Sequence, residues 1–217
     1  MPRIASIQVS KVRSLGTPDA PDAMDRPWTT GFFKEAVAGA VLVDTLGVAG
    51  DEQADRANHG GPDKAVLAYS AEHYPAWRTG LGLPELSFGA FGENLAVDGL
   101  TEADVCIGDR WRAGSVEFEV SQPRQPCWKL ARRWRVKALP ATVIETGRTG
   151  WYLRVLHGGT LTAGLEFELV DRPNPEWTIR RANGVMHFGK QDGAASLELA
   201  EVPGLSASWR DALRTRG

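Results

Sequence analysis

Cys127 is the residue whose type and neighbours most clearly suit chemistry. It stands in the segment Ser121-Gln-Pro-Arg-Gln-Pro-Cys-Trp-Lys-Leu130, among prolines and basic side chains. The thiolate form of cysteine is both the nucleophile and the soft metal ligand. The charges of Arg124 and Lys129 favour that form. Cys106 lies among apolar residues instead, and it is expected to be an unreactive core side chain.

The segment Asn58-His-Gly-Gly-Pro-Asp-Lys64 has the composition of an anion-binding loop. Its adjacent glycines allow a tight turn that brings backbone N–H groups close to a ligand. Lys64 adds a positive charge, so the loop suits a phosphate. A hairpin turn with a solvated lysine explains the same residues. His59 is a further candidate because it can form a hydrolase dyad with Cys127, and such partners meet in space rather than in sequence.

Two other segments carry candidate binding side chains. Glu93 and Asn94 follow Gly92 in an otherwise apolar stretch. The Asn94 amide suits the edge of a heterocycle, although asparagine also stabilises turns. Arg148 lies between Gly147 and Thr149, and its guanidinium can bind a phosphate through two hydrogen bonds. A β-hairpin with a basic face is the alternative interpretation of the Arg148 segment.

The elements that must position these residues are mainly strands. Short alternating or β-branched runs, separated by glycine and proline, predict strands near residues 4–9, 39–46, 64–69, 116–120 and 164–170. Their number and brevity indicate an all-β barrel or sandwich. No βαβ pattern and no internal repeat is visible.

Helices are predicted at two places within this β-rich region. Residues 70–78 form a short amphipathic pattern with Ser70 as N-cap. Residues 127–136 have tryptophan and alanine at helical spacing. Pro126 suits the first turn of that helix, which would place Cys127 at a helix N-terminus.

A proline-rich stretch at 171–175 divides the chain into a main domain of residues 1–170 and a helical module of residues 171–217. The module shows helical patterns at about 178–187, 193–200 and 206–215, the last with Ser206 or Ser208 as N-cap. Because so few residues bury little by themselves, these helices are expected to pack on the main body or on a second copy of the chain in a homodimer.

Composition excludes several classes of protein. The chain has 217 residues, 42% of them hydrophobic and 24% charged, with a net charge of −2, so no overall field favours nucleic acid. No apolar run approaches the roughly 20 residues that span a bilayer, and no signal peptide is visible, so a cytoplasmic protein is expected. Two cysteines cannot hold a four-thiolate iron–sulfur cluster. The phosphate-loop, dinucleotide-binding and nucleophile-elbow motifs are absent.

Several separated segments together resemble the MOSC domain, the family named for the C-terminal region of molybdenum-cofactor sulfurases, and in particular its YiiM-like branch. The resemblance extends over roughly residues 1–170, and the tail is similar to the three-helix module that often follows in this branch. The segments that carry it are Asn58-His-Gly-Gly-Pro-Asp-Lys-Ala-Val66, Phe91-Gly-Glu-Asn-Leu95, Ile107-Gly-Asp109, Gln122-Pro-Arg-Gln-Pro-Cys127 and Thr149-Gly-Trp-Tyr-Leu-Arg154.

The resemblance implies a β-barrel-like fold with a few short helices, and a molybdenum–pterin cofactor whose metal is ligated by Cys127. It implies a reductase that detoxifies N-hydroxylated base analogues, with a separate reductase as electron donor. Cys127 and His59 are then the catalytic candidates. The candidates for cofactor contacts are Lys64, Glu93, Asn94, Arg124, Arg148 and Cys127.

Two other functions remain open at this level. In sulfurase relatives the equivalent cysteine is proposed to carry sulfur, so Cys127 as a persulfide in a transfer module is the main alternative. A cofactor-binding domain whose tail helices touch nucleic acid is the weaker one, because the tail is almost neutral.

Overall fold

Thirteen short strands make up most of the regular structure of the computed structural model, which describes residues 1–216. They are β1 (Arg3–Val9), β2 (Arg13–Leu15), β3 (Trp28–Thr30), β4 (Glu35–Ala36), β5 (Val41–Asp44), β6 (Gly47–Val48), β7 (Val66–Ser70), β8 (Leu95–Asp98), β9 (Arg110–Ala113), β10 (Val116–Pro123), β11 (Trp151–His157), β12 (Gly159–Leu161) and β13 (Glu168–Asp171). Each of the five predicted strands corresponds to one of these. β7 begins later than predicted because Pro62–Lys64 forms a 3-10 turn.

The largest sheet contains eight strands in the order β13-β9-β10-β11-β7-β8-β1-β4, and it curls into a half-barrel. The remaining strands form a three-stranded sheet, β12-β5-β6, and the two-stranded ribbon β2-β3. This arrangement confirms the expected mainly-β, barrel-like fold.

One βαβ crossover interrupts the otherwise antiparallel sheet, although no βαβ pattern is visible in the sequence. β7 and β8 are parallel, with Ala68 opposite Leu95. A 3-10 turn (Ala71–His73) and a short helix (Tyr74–Leu81) connect them. Because a single short crossover leaves no repeating pattern in the sequence, periodicity did not reveal it.

Short helices flank the sheet. They are α1 (Arg56–His59), α2 (Tyr74–Leu81), α3 (Trp128–Trp134), α4 (Leu139–Thr146), α5 (Ile179–Asn183), α6 (Gly193–Ala200) and α7 (Ala207–Arg214). Ser70 accepts a hydrogen bond from the Glu72 N–H at 3.2 Å and so caps the turn before α2, as predicted. None of the helices within residues 1–216 has the length and apolar content to cross a bilayer.

The C-terminal helices pack on the main body, which is one of the two expected arrangements. Ala182, Leu199 and Leu213 from three tail helices belong to the same buried cluster as Phe118 and Val120 of β10. A π-helical turn, Gly184–Phe188, extends α5 over most of the predicted span 178–187. Ser206 is the N-cap of α7 and accepts a hydrogen bond from the Trp209 N–H.

A second apolar cluster, rich in aromatic rings, supports the region around Cys127. Tyr69 and Phe91 stack with centroids 4.6 Å apart, and Trp77 packs on Phe91. Leu130 of α3 is fully buried in this cluster. Its burial, together with that of Phe91, fixes the start of α3 against the end of the βαβ connection.

Candidate functional site

An open cavity of about 610 Å³ lies where five stretches of chain meet. Its walls come from residues within 30–34, 51–55, 59–67, 91–94 and 124–129, together with Tyr152 of β11. Five of the predicted site residues line it, namely His59, Lys64, Asn94, Arg124 and Cys127. The structure therefore brings together side chains that are distant in sequence.

Cys127 is the N-cap of α3 and is half-buried at the cavity wall. Pro126 precedes this cap and does not lie in the first turn, so the helix begins one residue later than predicted. Burial is the largest influence on the thiol and raises its pKa. A hydrogen bond with His59, the charges of Arg124 and His59, and the Lys129 N–H outweigh it, and they lower the pKa of Cys127 from 9.0 to about 7. A thiol with this pKa is substantially ionised at neutral pH.

Arg124 is a buried cation with unused hydrogen-bonding capacity. Only 3% of the residue is exposed, and its Nη2 donates to the Phe91 carbonyl at 3.1 Å. Its Nη1 is buried without a partner among the described residues. An unpaired buried donor is costly, and a native site normally supplies it with a ligand or an ordered water.

The loop with the paired glycines holds His59 and Lys64 at the opposite wall. Asp55 caps α1 by accepting from the Asn58 N–H at 3.1 Å. Gly61 has φ 90°, a backbone conformation that glycine adopts without strain. Lys64 donates from Nζ to the Asn58 carbonyl at 2.8 Å. Burial lowers the pKa of Lys64, and the neighbouring carboxylates of Asp63 and Asp55 oppose that shift.

Asn94 joins a buried ion pair that the sequence analysis missed. The amide Nδ2 of Asn94 donates to Asp51 at 2.9 Å, and its Oδ1 accepts from the Leu67 N–H at 3.1 Å. Asp51 also pairs with Lys34, and both side chains are almost fully buried. Burial lowers the pKa of Lys34, while Asp51 and Glu93 oppose the shift.

Glu93 is fully buried and does not line the cavity. It accepts hydrogen bonds from the Gly89 N–H at 2.6 Å, from the Phe91 N–H at 3.1 Å and from the Tyr74 hydroxyl. Burial raises the pKa of Glu93, and these hydrogen bonds oppose the increase. The structure therefore gives Glu93 a different role from the predicted cofactor contact: it holds the turn that presents Phe91 and Asn94.

Arg148 also lies away from the cavity. Its guanidinium carbon is 5.5 Å from the centroid of the Trp77 ring, and its carbonyl accepts from the Tyr69 hydroxyl at 3.0 Å. Arg148, predicted to contact a phosphate, does not line the cavity, and its guanidinium stacks on Trp77 of the aromatic cluster.

The charges around the cavity favour an anionic ligand. Its three carboxylates are engaged: Asp51 by Lys34, Glu52 by Lys11, and Asp55 by Asn58. Three cations that line it, Lys64, Arg124 and Lys129, make no ion pair within residues 1–216. These residues contain no group of three or more His, Cys, Asp or Glu side chains able to hold a metal ion by themselves. A metal held here would take most of its ligands from a bound group.

Cys106 takes no part in this site. It is 1% exposed, and burial, with the charge of Asp109, raises its pKa to about 11. The expectation that Cys106 is a core residue is confirmed. Lys34 and Asp51 were not predicted as site residues, because no sequence pattern near either residue indicates that the two side chains form an ion pair.

Two family models match separate stretches of the chain. Residues 55–168 match the MOSC domain, and residues 177–216 match the YiiM-like, 3-alpha helix domain. The solved structure of YiiM from Geobacillus stearothermophilus superimposes with a TM-score of 0.83 at 36% identity, covering 100% of this chain and 99% of that one.

Two curated relatives were also found. The uncharacterized protein YflK of Bacillus subtilis is 43% identical over 197 residues, which are 91% of this chain and 89% of YflK. A protein of Gibberella moniliformis named "Reductase" is 39% identical over 161 residues, which are 73% of this chain but only 28% of that protein.

Proposed function

Because the chain belongs to the MOSC domain family and carries the YiiM-like three-helix domain, we propose that it binds a molybdenum–pterin cofactor and reduces small N-hydroxylated compounds. N-hydroxylated base analogues are the proposed substrates. The observation that carries the proposal is that the half-buried, readily ionised Cys127 thiol and Arg124, whose buried Nη1 has no partner among the described residues, line the same cavity.

The residues present fit this cofactor. A thiolate is a soft ligand suited to a metal that a pterin dithiolene already chelates. The cofactor also carries a phosphate, and Arg124 and Lys64 offer donors and positive charge for its anionic groups. The Nδ2 of Asn94 already donates to Asp51 and to the Gln8 carbonyl, so a heterocycle could be contacted only through the second lone pair of Oδ1, which accepts from the Leu67 N–H. When bound, the cofactor supplies the two-electron chemistry that removes oxygen from the N–OH group.

The protein's own residues would bind and orient the N-hydroxylated substrate and supply the protons for its reduction. Reduction of an N-hydroxylated amine to the amine and water consumes two electrons and two protons. His59 is proposed to move a proton, since imidazole both donates and accepts and its ring lies near enough to Cys127 to lower the pKa of that thiol. Phe32 and Phe91 give part of the cavity an apolar wall. Gly92, with φ 81°, lies so close that a β-carbon there would stand 2.8 Å from the Phe32 ring.

The electrons are proposed to come from another protein, because the sequence has no flavin motif and its two cysteines cannot supply the four thiolates of an iron–sulfur cluster. The fungal relative supports this part of the proposal. It is named a reductase, and the segment similar to this chain makes up only 28% of its length. A separate electron-donating reductase is therefore the proposed partner.

A turnover assay tests the proposal. Protein produced in a host that makes the cofactor is supplied with reduced viologen as electron source and with an N-hydroxylated purine. We expect conversion to the amine by the wild type and by Cys106→Ala, and none above background by Cys127→Ala. Wild-type protein that holds the cofactor and leaves the substrate unchanged would contradict the reductase assignment.

Sulfur carriage is the second candidate, favoured by the same lowered pKa of Cys127, since a persulfide is also an anion that Arg124 would stabilise. Mass spectrometry of the purified protein separates the two. A persulfide on Cys127 in protein that holds no pterin would favour the carrier. Bound pterin with an unmodified Cys127 would favour the reductase.

A further inference from the structure

Two tryptophans, Trp28 and Trp128, lie within two residues of positions that line the cavity, and the reactions described above do not use them. Trp128 directly follows Cys127 and is 53% exposed. Trp28 begins β3, whose chain continues into Thr30, Gly31 and Phe32 at the cavity wall. The two ring centroids are 5.7 Å apart, with planes inclined at 56°.

Cations hold these rings in place. The guanidinium carbon of Arg132 lies 4.7 Å from the centroid of Trp128 and 5.7 Å from that of Trp28. Lys129, which lines the cavity, has its Nζ 5.9 Å from the Trp128 ring. Arg132 is itself anchored by donating to the carbonyl of Arg26 at 2.9 Å and to that of Ala23. Trp128 is thus both exposed and restrained.

An exposed indole leaves a large apolar face in water, where burial would be favourable. Of the large apolar side chains with more than a third of their surface exposed in residues 1–216, only Trp128 and Phe188 are aromatic. Phe188, 65% exposed, belongs to the C-terminal module, from which no residue lines the cavity. Trp128 stands in the chain between Cys127 and Lys129, which both line the cavity, and its ring lies 5.9 Å from the Lys129 Nζ. Of these two exposed rings, Trp128 is therefore the one at the border of the cavity.

We infer that Trp128, supported by Trp28 and Arg132, stacks on the planar heteroaromatic ring of the substrate and selects such substrates over aliphatic N-hydroxyl compounds. Stacking on an indole suits any flat π-system, and a nearby guanidinium strengthens it. The inference rests on the proposed function, because it assigns the specificity-determining residues of the same site. It adds that the N–OH group points into the cavity while the ring stays at the mouth.

Adenine is a suitable probe because it offers the planar ring without an N–O bond, so binding is measured without turnover. Calorimetry uses the protein as purified from the cofactor-producing host, in four forms: wild type, Trp128→Ala, Trp128→Phe and Phe188→Ala. We expect adenine to bind about tenfold more weakly to Trp128→Ala, following the usual effect of removing a stacking ring. Trp128→Phe should recover most of the affinity, and Phe188→Ala should equal the wild type.

Three results would overturn the inference: no adenine binding by the wild type, equal binding by wild type and Trp128→Ala, or equal weakening in Trp128→Ala and Phe188→Ala. The molybdenum content of each variant is measured alongside. A loss of molybdenum in Trp128→Ala would place Trp128 against the cofactor and also overturn the assignment. Failure of the proposed function would be seen as wild-type protein that contains no molybdenum. Adenine affinity is a separate measurement, so the two failures can be distinguished.

Discussion

The reactivity expected of Cys127 depends on two opposing effects on its pKa, which burial raises and nearby positive or hydrogen-bonding groups lower. Burial alone would keep the thiol protonated, as it does for Cys106, whose pKa rises to about 11. At Cys127 the hydrogen bond with His59 and the charge of Arg124 prevail, and the pKa falls to about 7. The two cysteines differ because the charges of Asp109 and Glu176 add to the effect of burial at Cys106 and outweigh that of Arg172, whereas His59 and Arg124 oppose burial at Cys127.

The pH dependence of alkylation tests this difference. In cofactor-free protein, the rate of Cys127 alkylation by iodoacetamide should rise with pH and reach half its maximum near pH 7, because only the thiolate reacts. Arg124→Met removes a charge that stabilises the thiolate, so its midpoint should move toward the ordinary value of 9.0. Cys106→Ala is the control and should match the wild type. A wild-type midpoint near 9, or no shift in Arg124→Met, would contradict the account.

The buried pair Lys34–Asp51 should be important for stability. Asp51→Asn leaves the Lys34 ammonium buried without its counter-charge, which we expect to lower the free energy of unfolding by about 3 kcal/mol in urea titrations. Glu52→Gln is the matched control, because the neighbouring Lys11–Glu52 pair is exposed and should contribute less than about 1 kcal/mol. Similar small losses for both variants would show that Asp51 does not hold Lys34.

Sequence reasoning found some site residues and misplaced others, for physical reasons. The sequence could indicate Cys127, Arg124 and Lys64 because the residues directly beside them, such as prolines, glycines and basic side chains, suggest chemistry or anion binding. Arg148 was misplaced because a guanidinium suits an aromatic ring as well as a phosphate, and Trp77 lies far from it in sequence. Lys34 and Asp51 were missed because their pairing exists only in the folded chain.

At the scale of elements, the sequence predicted the features that short-range interactions determine, such as helix caps and helix starts. The N-cap of the turn after β7 and the start of α3 near Cys127 follow from short-range signals, and the structure contains both. The parallel pairing of β7 with β8 depends on a tertiary crossover and left no periodic trace. Helix α4 was not predicted, although Pro140 lies in its first turn, where proline is favourable.

One ionic cluster connects the C-terminal module to the loop that carries Lys64. Arg154 of β11 pairs with Asp63 at 2.6 Å and with Glu119, and its Nη1 donates to the Gly204 carbonyl at 2.7 Å. Asp63 also accepts from the Ala207 N–H at the start of α7, at 3.2 Å. The cavity loop and the tail therefore share one set of polar contacts.

Arg154→Met should weaken both sides of this connection. Because it removes several hydrogen bonds to charged groups, we expect a loss of about 2 kcal/mol in the free energy of unfolding. Amide hydrogen exchange should become faster at residues 58–64. The matched control is Arg112→Met on the adjacent part of the sheet, where the pair with Glu168 is exposed and a loss below about 1 kcal/mol is expected. Unchanged exchange at 58–64 in Arg154→Met would exclude this coupling.

For the whole molecule, the packing of the tail indicates one cooperative unit. Trp209 and Leu213 of α7 are buried in the same cluster as the strands of the main sheet. The module, although matched as a separate domain at residues 177–216, thus completes the core of its neighbour. The main domain that forms the cavity and the C-terminal helices are therefore expected to unfold in one transition.

Truncating Trp209 tests whether the C-terminal module and the main sheet share one core. Trp209→Ala removes a buried indole, so we expect the free energy of unfolding to fall by about 3–5 kcal/mol. Circular dichroism and hydrogen exchange in β10 should report the same single transition. Phe188→Ala, which removes an exposed ring from the same module, should leave the transition almost unchanged. Two separate transitions, with β10 unaffected in Trp209→Ala, would contradict a shared core.

The central claim is that Cys127 holds the metal of a molybdenum–pterin cofactor in this cavity. Metal and pterin analysis tests it most directly, on wild type, Cys127→Ala and Cys106→Ala purified from a host that makes the cofactor. The account predicts about one molybdenum and one pterin per chain in the wild type and in Cys106→Ala, with molybdenum lost from Cys127→Ala. Wild-type protein free of both, or Cys127→Ala with undiminished molybdenum, would contradict it.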